Sequence, residues 1–168
     1  DYFCENSIFM AISGLVITYN EEKNIGKCID ALFEVCDEVI IVDSLSADNT
    51  VKIAEEKGAK VISQKFLGDG PQRTHGLPFC KNDWILNLDA DEFLDKDAKE
   101  FILKGKYLEG NYDAFSFRVK NFLADELIDF SGWYPDHKVR FFNKKTAKPS
   151  EAKVHQKIET TNEKKVAV

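Results

Sequence analysis

The first part of the chain alternates between short apolar runs and segments with helical periodicity. Three runs are apolar and largely β-branched, and we predict a strand in each: Ile12–Thr18, Glu38–Asp43 and Lys60–Ser63. Between the first two, Ile25, Cys28, Ile29 and Leu32 recur at three- and four-residue spacing, which is typical of one face of a helix. A second helix is expected to end near Lys57, before Gly58. This order predicts right-handed crossovers and a parallel sheet.

The middle of the chain continues the same alternation. We predict helices over residues 72–80 and 95–104. Between them, a short apolar strand begins at Trp84 and runs into Asp89 and Asp91. Residues 112–119 alternate apolar and polar side chains, as a half-buried strand does. Beyond this point the periodicity weakens, and strands are expected within residues 121–130, 138–142 and 153–158.

These elements predict a single α/β domain over residues 10–160, with a mostly parallel central sheet and helices on both faces. A length of 168 residues suits one domain with a substantial core. Residues 1–9 show neither of the two patterns and precede Met10, so we interpret them as a leader or a remnant of upstream sequence. Residues 161–168 are interpreted as a tail.

Composition excludes several classes of protein. A formal net charge of −6 argues against a general nucleic-acid binder, which usually carries a broad basic face. The four cysteines form no Cys-x-x-Cys pair, and a chain of this size needs no disulfides, so we expect reduced thiols and a cytoplasmic setting. No apolar run approaches the roughly 20 residues of a membrane span. A soluble protein, peripheral to a membrane at most, is therefore expected.

One cluster of basic residues stands out in this acidic chain. It comprises Arg140, Lys144, Lys145 and Lys148. Such a cluster can contact the phosphates of a lipid-linked acceptor or an anionic membrane surface. The alternative is that it is an ordinary solvated surface.

Polar residues follow three of the predicted strands at the point where each strand ends. The first strand leads into Thr18, Tyr19, Asn20 and Glu21, the second ends in Asp43, and the fourth leads into Asp89 and Asp91. Because open α/β sheets bind ligands at the carboxyl ends of their strands, these side chains are expected to share one site. Paired carboxylates suit Mg²⁺ or Mn²⁺, which commonly keep substrate phosphates as further ligands. The sequence therefore predicts a metal site for a phosphate-bearing substrate.

Two alternatives bear on this site. Asp43 can accept hydrogen bonds from a uracil ring or a ribose, or it can simply cap the turn after its strand. No Gly-x-Gly-x-x-Gly follows the first strand and no Walker lysine motif is present, which argues against a Rossmann oxidoreductase and a P-loop enzyme.

Several ordered motifs resemble one known family. The chain resembles the inverting family 2 glycosyltransferases of GT-A fold at residues 18–21, 42–50, Gln72-Arg73 and 88–92. The GT-A fold is a Rossmann-like fold of enzymes that transfer sugars from nucleotide diphosphates. Within this family, the chain is similar to the branch that contains lipopolysaccharide and lipooligosaccharide core β-1,4-glucosyltransferases. The similarity lies in residues 132–136, 140–142 and 154–156.

The resemblance implies roles for individual residues. The nucleotide sugar would be bound by Thr18, Tyr19, Asn20, Glu21, Asp43, Arg73, Asp89 and Ala90. Asp91 and His155 would bind Mn²⁺ or Mg²⁺, and Trp133, Tyr134 and Arg140 would contact the acceptor. His155 has an alternative reading as a structural histidine. The reaction also needs a general base, for which Asp136 is our first candidate because it lies in the loop of residues 132–136, with Glu92 as the second.

The resemblance also implies an activity. It is the metal-dependent, inverting transfer of a hexose, expected to be glucose, from a UDP-sugar to a saccharide or lipid-linked acceptor of a bacterial cell-envelope glycan. The enzyme would work in the cytoplasm or at the cytoplasmic face of the inner membrane.

Some features of the chain depart from the family pattern. Thr74 stands where the family usually has Asn, and Gln156 stands where it usually has Glu. Residues 161–168 replace a longer helical segment, so the tail is expected to be truncated relative to the family. A catalytically silent sugar-nucleotide-binding module and a nucleotidyltransferase therefore remain as alternatives.

Overall fold

The computed structural model describes residues 11–120, 122–123, 126–127, 136–154, 157–160 and 165–167. The strands in these ranges are β1 (Ile12–Thr18), β2 (Glu38–Asp43), β3 (Lys60–Ser63), β4 (Trp84–Asp89), β5 (Ala114–Val119), β6 (Phe122–Leu123), β7 (Glu126–Leu127), β8 (Asp136–Asn143), β9 (Ala147–Pro149), β10 (Ile158–Thr160) and β11 (Lys165–Ala167). The α-helices are α1 (Ile25–Phe33), α2 (Thr50–Glu56), α3 (Asp69–Gly76) and α4 (Lys96–Leu103), and Leu77–Phe79 and Lys106–Leu108 form short 3₁₀ helices.

A seven-stranded sheet runs through the domain in the order β11-β5-β8-β4-β1-β2-β3. Strands β3, β2, β1 and β4 are parallel, β8 is antiparallel to both of its neighbours, and β11 is parallel to β5. The expected α/β architecture with a mostly parallel sheet is confirmed. The register pairs Thr18 with Asp43 and Ile17 with Asp89, so the carboxyl ends of β1, β2 and β4 lie side by side.

Helices cover both faces of the sheet because the central strands are apolar on both faces. Val16, Ile41 and Leu86 belong to one core cluster, which also contains the buried side chains of α1, α2 and α4. The alternate positions Leu15, Ile40 and Ile85 belong to a second cluster, which includes residues of the 3₁₀ helix after α3. Buried strands of this kind have continuous apolar runs rather than alternating ones. The predicted helices on both faces are thus confirmed.

Helix α3 begins earlier than residue 72, where the sequence predicts its start. The backbone N–H groups of Asp69 and Gly70 donate to the carbonyl oxygens of Lys153 (2.8 Å) and Ala152 (3.1 Å). These bonds satisfy amides that a helix leaves unpaired in its first turn. The partner segment lies more than 80 residues further along the chain, as the residue numbers show. A local pattern cannot reveal such a contact.

The same helix also ends earlier than expected. It stops at Gly76 and continues only as the 3₁₀ turn Leu77–Phe79. Pro78 has no N–H to donate to the preceding turn, which explains why the α-helical pattern is interrupted here. The helix is therefore short, and it presents Arg73 in its second half.

The carboxyl-terminal part of the chain differs from the expected division. Lys165–Ala167, within the expected tail, forms β11 and pairs with β5. Without β11, β5 would leave one row of N–H and C=O groups unpaired at the sheet edge. The strand expected within residues 153–158 is also wrong for its first residues, because β10 begins at Ile158 and pairs with β9. The expected leader lies outside the described residues.

The described cysteines, Cys28, Cys36 and Cys80, are free and buried. This agrees with the expected reduced thiols, while Cys4 lies outside the described residues. Burial raises the pKa of Cys28 and of Cys80 to about 12, so both are neutral thiols at physiological pH. In the described part of the chain, no helix combines the length and apolarity needed to cross a membrane.

Gly70 allows residues 150–152 to pass against the start of α3, and this contact can be tested. A Cβ at Gly70 would lie 1.8 Å from the carbonyl oxygen of Ser150, so Gly70→Ala must displace backbone. We expect the free energy of unfolding to fall by at least about 1–3 kcal/mol. Urea denaturation followed by far-UV circular dichroism would measure the change.

Gly26→Ala is the matched control, because Gly26 is also the second residue of its helix. Its Cβ would meet the flexible end of Lys57 at 2.9 Å and would make an ordinary contact with Cγ2 of Ile53 at 3.4 Å. This variant should be neutral or gain up to about 1 kcal/mol from the higher helix propensity of alanine. Equal stability of the two variants would contradict the close packing at Gly70.

Candidate active site

The turn after β1 is held against the loop that follows β2. Asn20 has a positive φ of 52°, its N–H donates to the Ser46 hydroxyl at 2.8 Å, and its Oδ1 accepts from the N–H of Ala47 at 2.8 Å. The N–H of Glu21 donates to the Thr50 hydroxyl at 2.7 Å. These bonds bring residues 18–21 and Asp43 to one rim, as expected from the ends of parallel strands.

Asp43 lies at the base of this rim and caps the turn after β2. Its carboxylate accepts hydrogen bonds from the N–H of Ser46 at 2.9 Å and from the Ser46 hydroxyl at 2.5 Å, and the residue is 1% exposed. The capping alternative is therefore realised in this structure. A carboxylate has further lone pairs, so a contact with a nucleotide stays a prediction.

The rim also exposes two large side chains. Tyr19 is 59% exposed and Leu45 is 56% exposed. Leu45 has a φ of 66°, a left-handed backbone conformation that is uncommon for a residue other than glycine. Thr18, by contrast, is buried, and its hydroxyl has no hydrogen-bond partner within the described ranges.

Two buried arginines hold the carboxylate of Asp89. Arg73 on α3 is 3% exposed, and its Nη2 forms an ion pair with Oδ1 of Asp89. Arg140 on β8 is 5% exposed, and its Nη2 lies 2.9 Å from Oδ2 of Asp89. Nη1 of Arg73 also donates to Oδ1 of Asn87 at 2.6 Å. A single carboxylate thus joins α3, β4 and β8.

The charges of this cluster stabilise one another. Burial would raise the pKa of Asp89, but Arg73 and Arg140 outweigh burial and hold that pKa below its ordinary value. Burial would likewise lower the pKa of Arg140, yet the negative charges of Glu92 and Asp89 raise it. Asp89 and Arg140 are therefore both charged at neutral pH.

Glu92 closes the turn that follows β4. Its Oε2 accepts from the N–H of Asp89 at 3.1 Å, and its own N–H donates to the carbonyl oxygen of Asp89 at 3.0 Å. Its Oε1 forms an ion pair with Nη2 of Arg140. Both carboxylate oxygens are engaged, so a proton from an acceptor would compete with these contacts. The role of Glu92 as a base stays an untested prediction.

Asp91 lies in the same turn but has a different environment. The residue is exposed, and its carboxylate makes no hydrogen bond or ion pair with any other described residue. Ala90, before it, is buried. The turn therefore pairs one carboxylate with arginines and leaves the other available at the surface.

Asp136 stands near this turn, at the start of β8. Its side chain is 42% exposed, and its Oδ2 lies 3.9 Å from Nζ of Lys138. The same Nζ lies 3.8 Å from Oε1 of Glu92. Arg140, further along the same strand, contacts Glu92 as well. These contacts connect the expected base to the Asp89 cluster.

Two residues of this site were missed from the sequence, although each has a recognisable signal. Asn87 is a fully buried polar residue in the apolar strand β4, and such a residue usually has a specific partner. Lys138 lies two residues from Asp136, a spacing that places the two side chains on one face of a strand.

The expected basic surface is wrong for Arg140. That residue is buried with two carboxylates and has little surface to offer a membrane or an acceptor. Lys144 donates to the carbonyl oxygen of Cys80, and Lys145 forms an ion pair with Asp83 at 2.7 Å. The cause is the fold, which turns Arg140 toward β4. Of the expected site residues, Trp133, Tyr134 and His155 lie outside the described residues.

The donor set of the turn fits a hard divalent cation. Within the described ranges, no three His, Cys, Asp or Glu side chains are grouped to hold a metal ion. Mg²⁺ and Mn²⁺ are, however, often held by one or two carboxylates together with substrate phosphates. Asp91 has the free carboxylate that this arrangement requires, whereas both oxygens of Asp89 are occupied by arginines.

Comparisons with known proteins show the family of this chain. Residues 13–155 match the family described as Glycosyl transferase family 2. An uncharacterized glycosyltransferase of Rickettsia felis is 48% identical over 91 residues, which are 54% of this chain and 32% of that protein. The lipopolysaccharide core biosynthesis glycosyltransferase LpsC of Rhizobium meliloti is 36% identical over 98 residues, covering 55% of this chain and 36% of LpsC. The chain thus spans about a third of the length of these relatives.

Solved structures show the same fold. TarS of S. aureus, crystallised in complex with UDP-GlcNAc, superposes with a TM-score of 0.55 at 28% identity, covering 66% of this chain and 35% of that one. Glucosyl-3-phosphoglycerate synthase of Mycobacterium tuberculosis, crystallised with Mn²⁺, UDP and glucosyl-3-phosphoglycerate, gives 0.52 at 25% identity, covering 65% and 44%. The expected GT-A fold is confirmed.

The different environments of Asp89 and Asp91 predict different effects on stability. Asp89→Asn would leave the buried Arg73 without a carboxylate partner and Arg140 with only that of Glu92. Removing one partner of a fully buried ion pair costs about 3–5 kcal/mol, and Asp89 is partly exposed, so we expect a loss of roughly 1–3 kcal/mol. Asp91→Asn should change the free energy of unfolding by less than about 0.5 kcal/mol.

Urea denaturation in metal-free buffer with EDTA would compare the two variants. Both replace a carboxylate by an amide within the same turn, so each is the control for the other. A large loss of stability in Asp91→Asn, or none in Asp89→Asn, would contradict the assignment of the ion pairs.

Proposed function

Because this chain belongs to glycosyltransferase family 2, we propose that it binds a UDP-sugar at the carboxyl ends of β1, β2 and β4 and transfers the sugar with inversion. The observation that carries this proposal is the free, exposed carboxylate of Asp91 beside the paired carboxylate of Asp89. The UDP-GlcNAc in TarS and the UDP in the mycobacterial synthase support a uridine nucleotide. Glucose is the proposed hexose.

The acceptor is proposed to be a saccharide or lipid-linked saccharide of a bacterial cell-envelope glycan. The name of LpsC, which refers to lipopolysaccharide core biosynthesis, supports this class. We place the reaction in the cytoplasm, at or near the inner membrane. Lys148 is exposed and is the proposed contact with anionic lipid. One lysine near an anionic membrane surface contributes about 1 kcal/mol of binding free energy.

In this proposal, the rim residues bind the nucleotide. Thr18, Asn20, Glu21 and Asp43 line the floor of the rim, and Asp43 can accept from the uracil imide or the ribose through its remaining lone pairs. The exposed ring of Tyr19 can stack against a base. Two hydrogen bonds from Ser46 hold the carboxylate of Asp43 in position.

Asp91, together with His155, would bind the metal ion, which would neutralise charge on the departing diphosphate. Arg73 adds positive charge beneath the same turn, where Asp89 fixes its guanidinium. Preorganised charges of this kind stabilise the leaving group without rearrangement during the reaction.

The transfer itself is an in-line displacement. The acceptor oxygen forms a bond to the anomeric carbon while the bond from that carbon to the diphosphate oxygen breaks, and the configuration inverts. The proton of the acceptor hydroxyl passes to a carboxylate, for which Asp136 is the first candidate because it is partly exposed near the turn. Trp133 and Tyr134, just before it in the chain, are the proposed acceptor contacts.

One assay tests the proposed reaction against its alternatives. The protein is incubated with Mn²⁺ and a panel of sugar nucleotides, and nucleoside diphosphate release is measured with and without acceptor extract. Release identifies a transferase. Pyrophosphate release from a nucleoside triphosphate and a sugar phosphate identifies a nucleotidyltransferase, and calorimetric binding without turnover identifies a silent binder.

Asp91→Asn is expected to lower metal-dependent turnover by at least about 100-fold, because the leaving group loses its charge stabilisation. The far-UV circular dichroism should be unchanged. Asp97→Asn is the control, since Asp97 is an equally exposed aspartate in the first turn of α4. Undiminished turnover in Asp91→Asn would refute the metal assignment.

A further inference from the structure

We infer that Glu92 and Arg140 are positioning residues, which hold the turn of residues 89–92 so that Asp91 presents its carboxylate to the metal–diphosphate group. This inference rests on the proposed function. It assigns neither residue to the chemical step, in contrast to their expected roles as a base and an acceptor contact.

The first support is the closure of the 89–92 turn. Glu92 bonds the backbone of Asp89 twice, donating its N–H to the Asp89 carbonyl oxygen at 3.0 Å and accepting the Asp89 N–H at 3.1 Å. The two ends of the turn are therefore tied by one main-chain bond and one side-chain bond. Asp91 lies between them, and its backbone position is set by this closure.

The second support is the anchoring of the turn to the sheet. Nη2 of Arg140 contacts Oδ2 of Asp89 and Oε1 of Glu92, so one guanidinium nitrogen holds both ends of the turn. Arg140 lies on β8, which pairs with β4 through Leu86 and Phe141. A buried, permanently charged guanidinium forms such a fixed bridge better than a flexible ammonium group does.

The third support is the difference between Asp91 and the paired carboxylates of Asp89 and Glu92. Its side chain has no partner in the described part of the chain, so the backbone of the turn is what directs it. Residues that orient a metal ligand through a second layer of contacts typically change metal affinity by about 10–100-fold when they are replaced. Glu92 and Arg140 occupy this second layer with respect to Asp91.

This role differs measurably from participation in the chemical step. A general base or an acceptor contact acts after the donor is bound, so its loss would leave the affinity for UDP and Mn²⁺ unchanged. A positioning residue acts on Asp91, so its loss weakens the part of UDP binding that depends on the metal. A variant that is merely destabilised would behave differently. Either its UDP affinity would fall both with and without the metal, or only its melting temperature would fall.

The test is calorimetric titration of UDP into the protein with Mn²⁺ and with EDTA. Wild type is compared with Glu92→Gln, Arg140→Met and Arg140→Lys, and melting temperatures are recorded in parallel. Lys145→Met is the matched control, because it removes a cation of an exposed ion pair with Asp83 outside this cluster. The quantity of interest is the ratio of the UDP affinity with Mn²⁺ to the affinity without it.

We expect this ratio to fall about 10–100-fold in Glu92→Gln and Arg140→Met, with metal-free UDP affinity within about two-fold of wild type. Arg140→Lys keeps the charge and should restore part of the ratio, and Lys145→Met should leave it unchanged. If Arg140→Met does not fold, Glu92→Gln and Arg140→Lys still decide the outcome.

A wild-type Mn²⁺ effect that persists undiminished in folded Glu92→Gln and Arg140→Lys would overturn this inference and leave the proposed function standing. A wild-type UDP affinity that is independent of Mn²⁺ would overturn the proposed metal role and this inference with it. The two failures are thus distinguishable in one set of titrations.

Discussion

The carboxylate of Asp89 between two buried guanidinium groups is the interaction on which the site depends. Arg73 and Arg140 come from α3 and β8, on elements far apart in sequence, and neither could remain buried without a compensating charge. Each arginine contacts a different carboxylate oxygen, so Asp89 at the end of β4 connects that strand to both α3 and β8. The anchoring of the 89–92 turn to α3 and β8 rests on this link.

The two aspartates of the 89–92 turn lie in different surroundings. Asp89 still belongs to β4, and alternation along that strand places it on the same face as Asn87, the face from which Arg73 approaches. Asp91 lies beyond the strand, where no described side chain neutralises it. Burial and pairing make one carboxylate structural, while exposure leaves the other available to a ligand. A sequence motif shows two acids but not this distinction.

The accuracy of prediction changes along the chain for a physical reason. The predicted bounds of β1, β2 and β3 are confirmed, and β4 lies in the predicted stretch. Strands β1, β2 and β4 are buried on both faces, and such strands carry continuous apolar runs. After about residue 120, every described strand except β8 has only two or three residues, so partners as well as periodicity determine these strands. Strand β11 and the true start of α3 both depend on contacts with distant segments, which no local pattern contains.

The sequence by itself determined the succession of the first four strands, the polar residues at three strand ends and the acidic pair at the end of β4. These features follow from local periodicity and residue type. Only the tertiary structure decided which acid is paired, that Arg140 is buried, and that Glu92 closes a turn. Arg140 and Asp89 are 51 positions apart, and Arg73 and Asp89 are 16 apart. Contacts at such separations arise from the packing of α3 and β8 around β4, so they are properties of the folded chain.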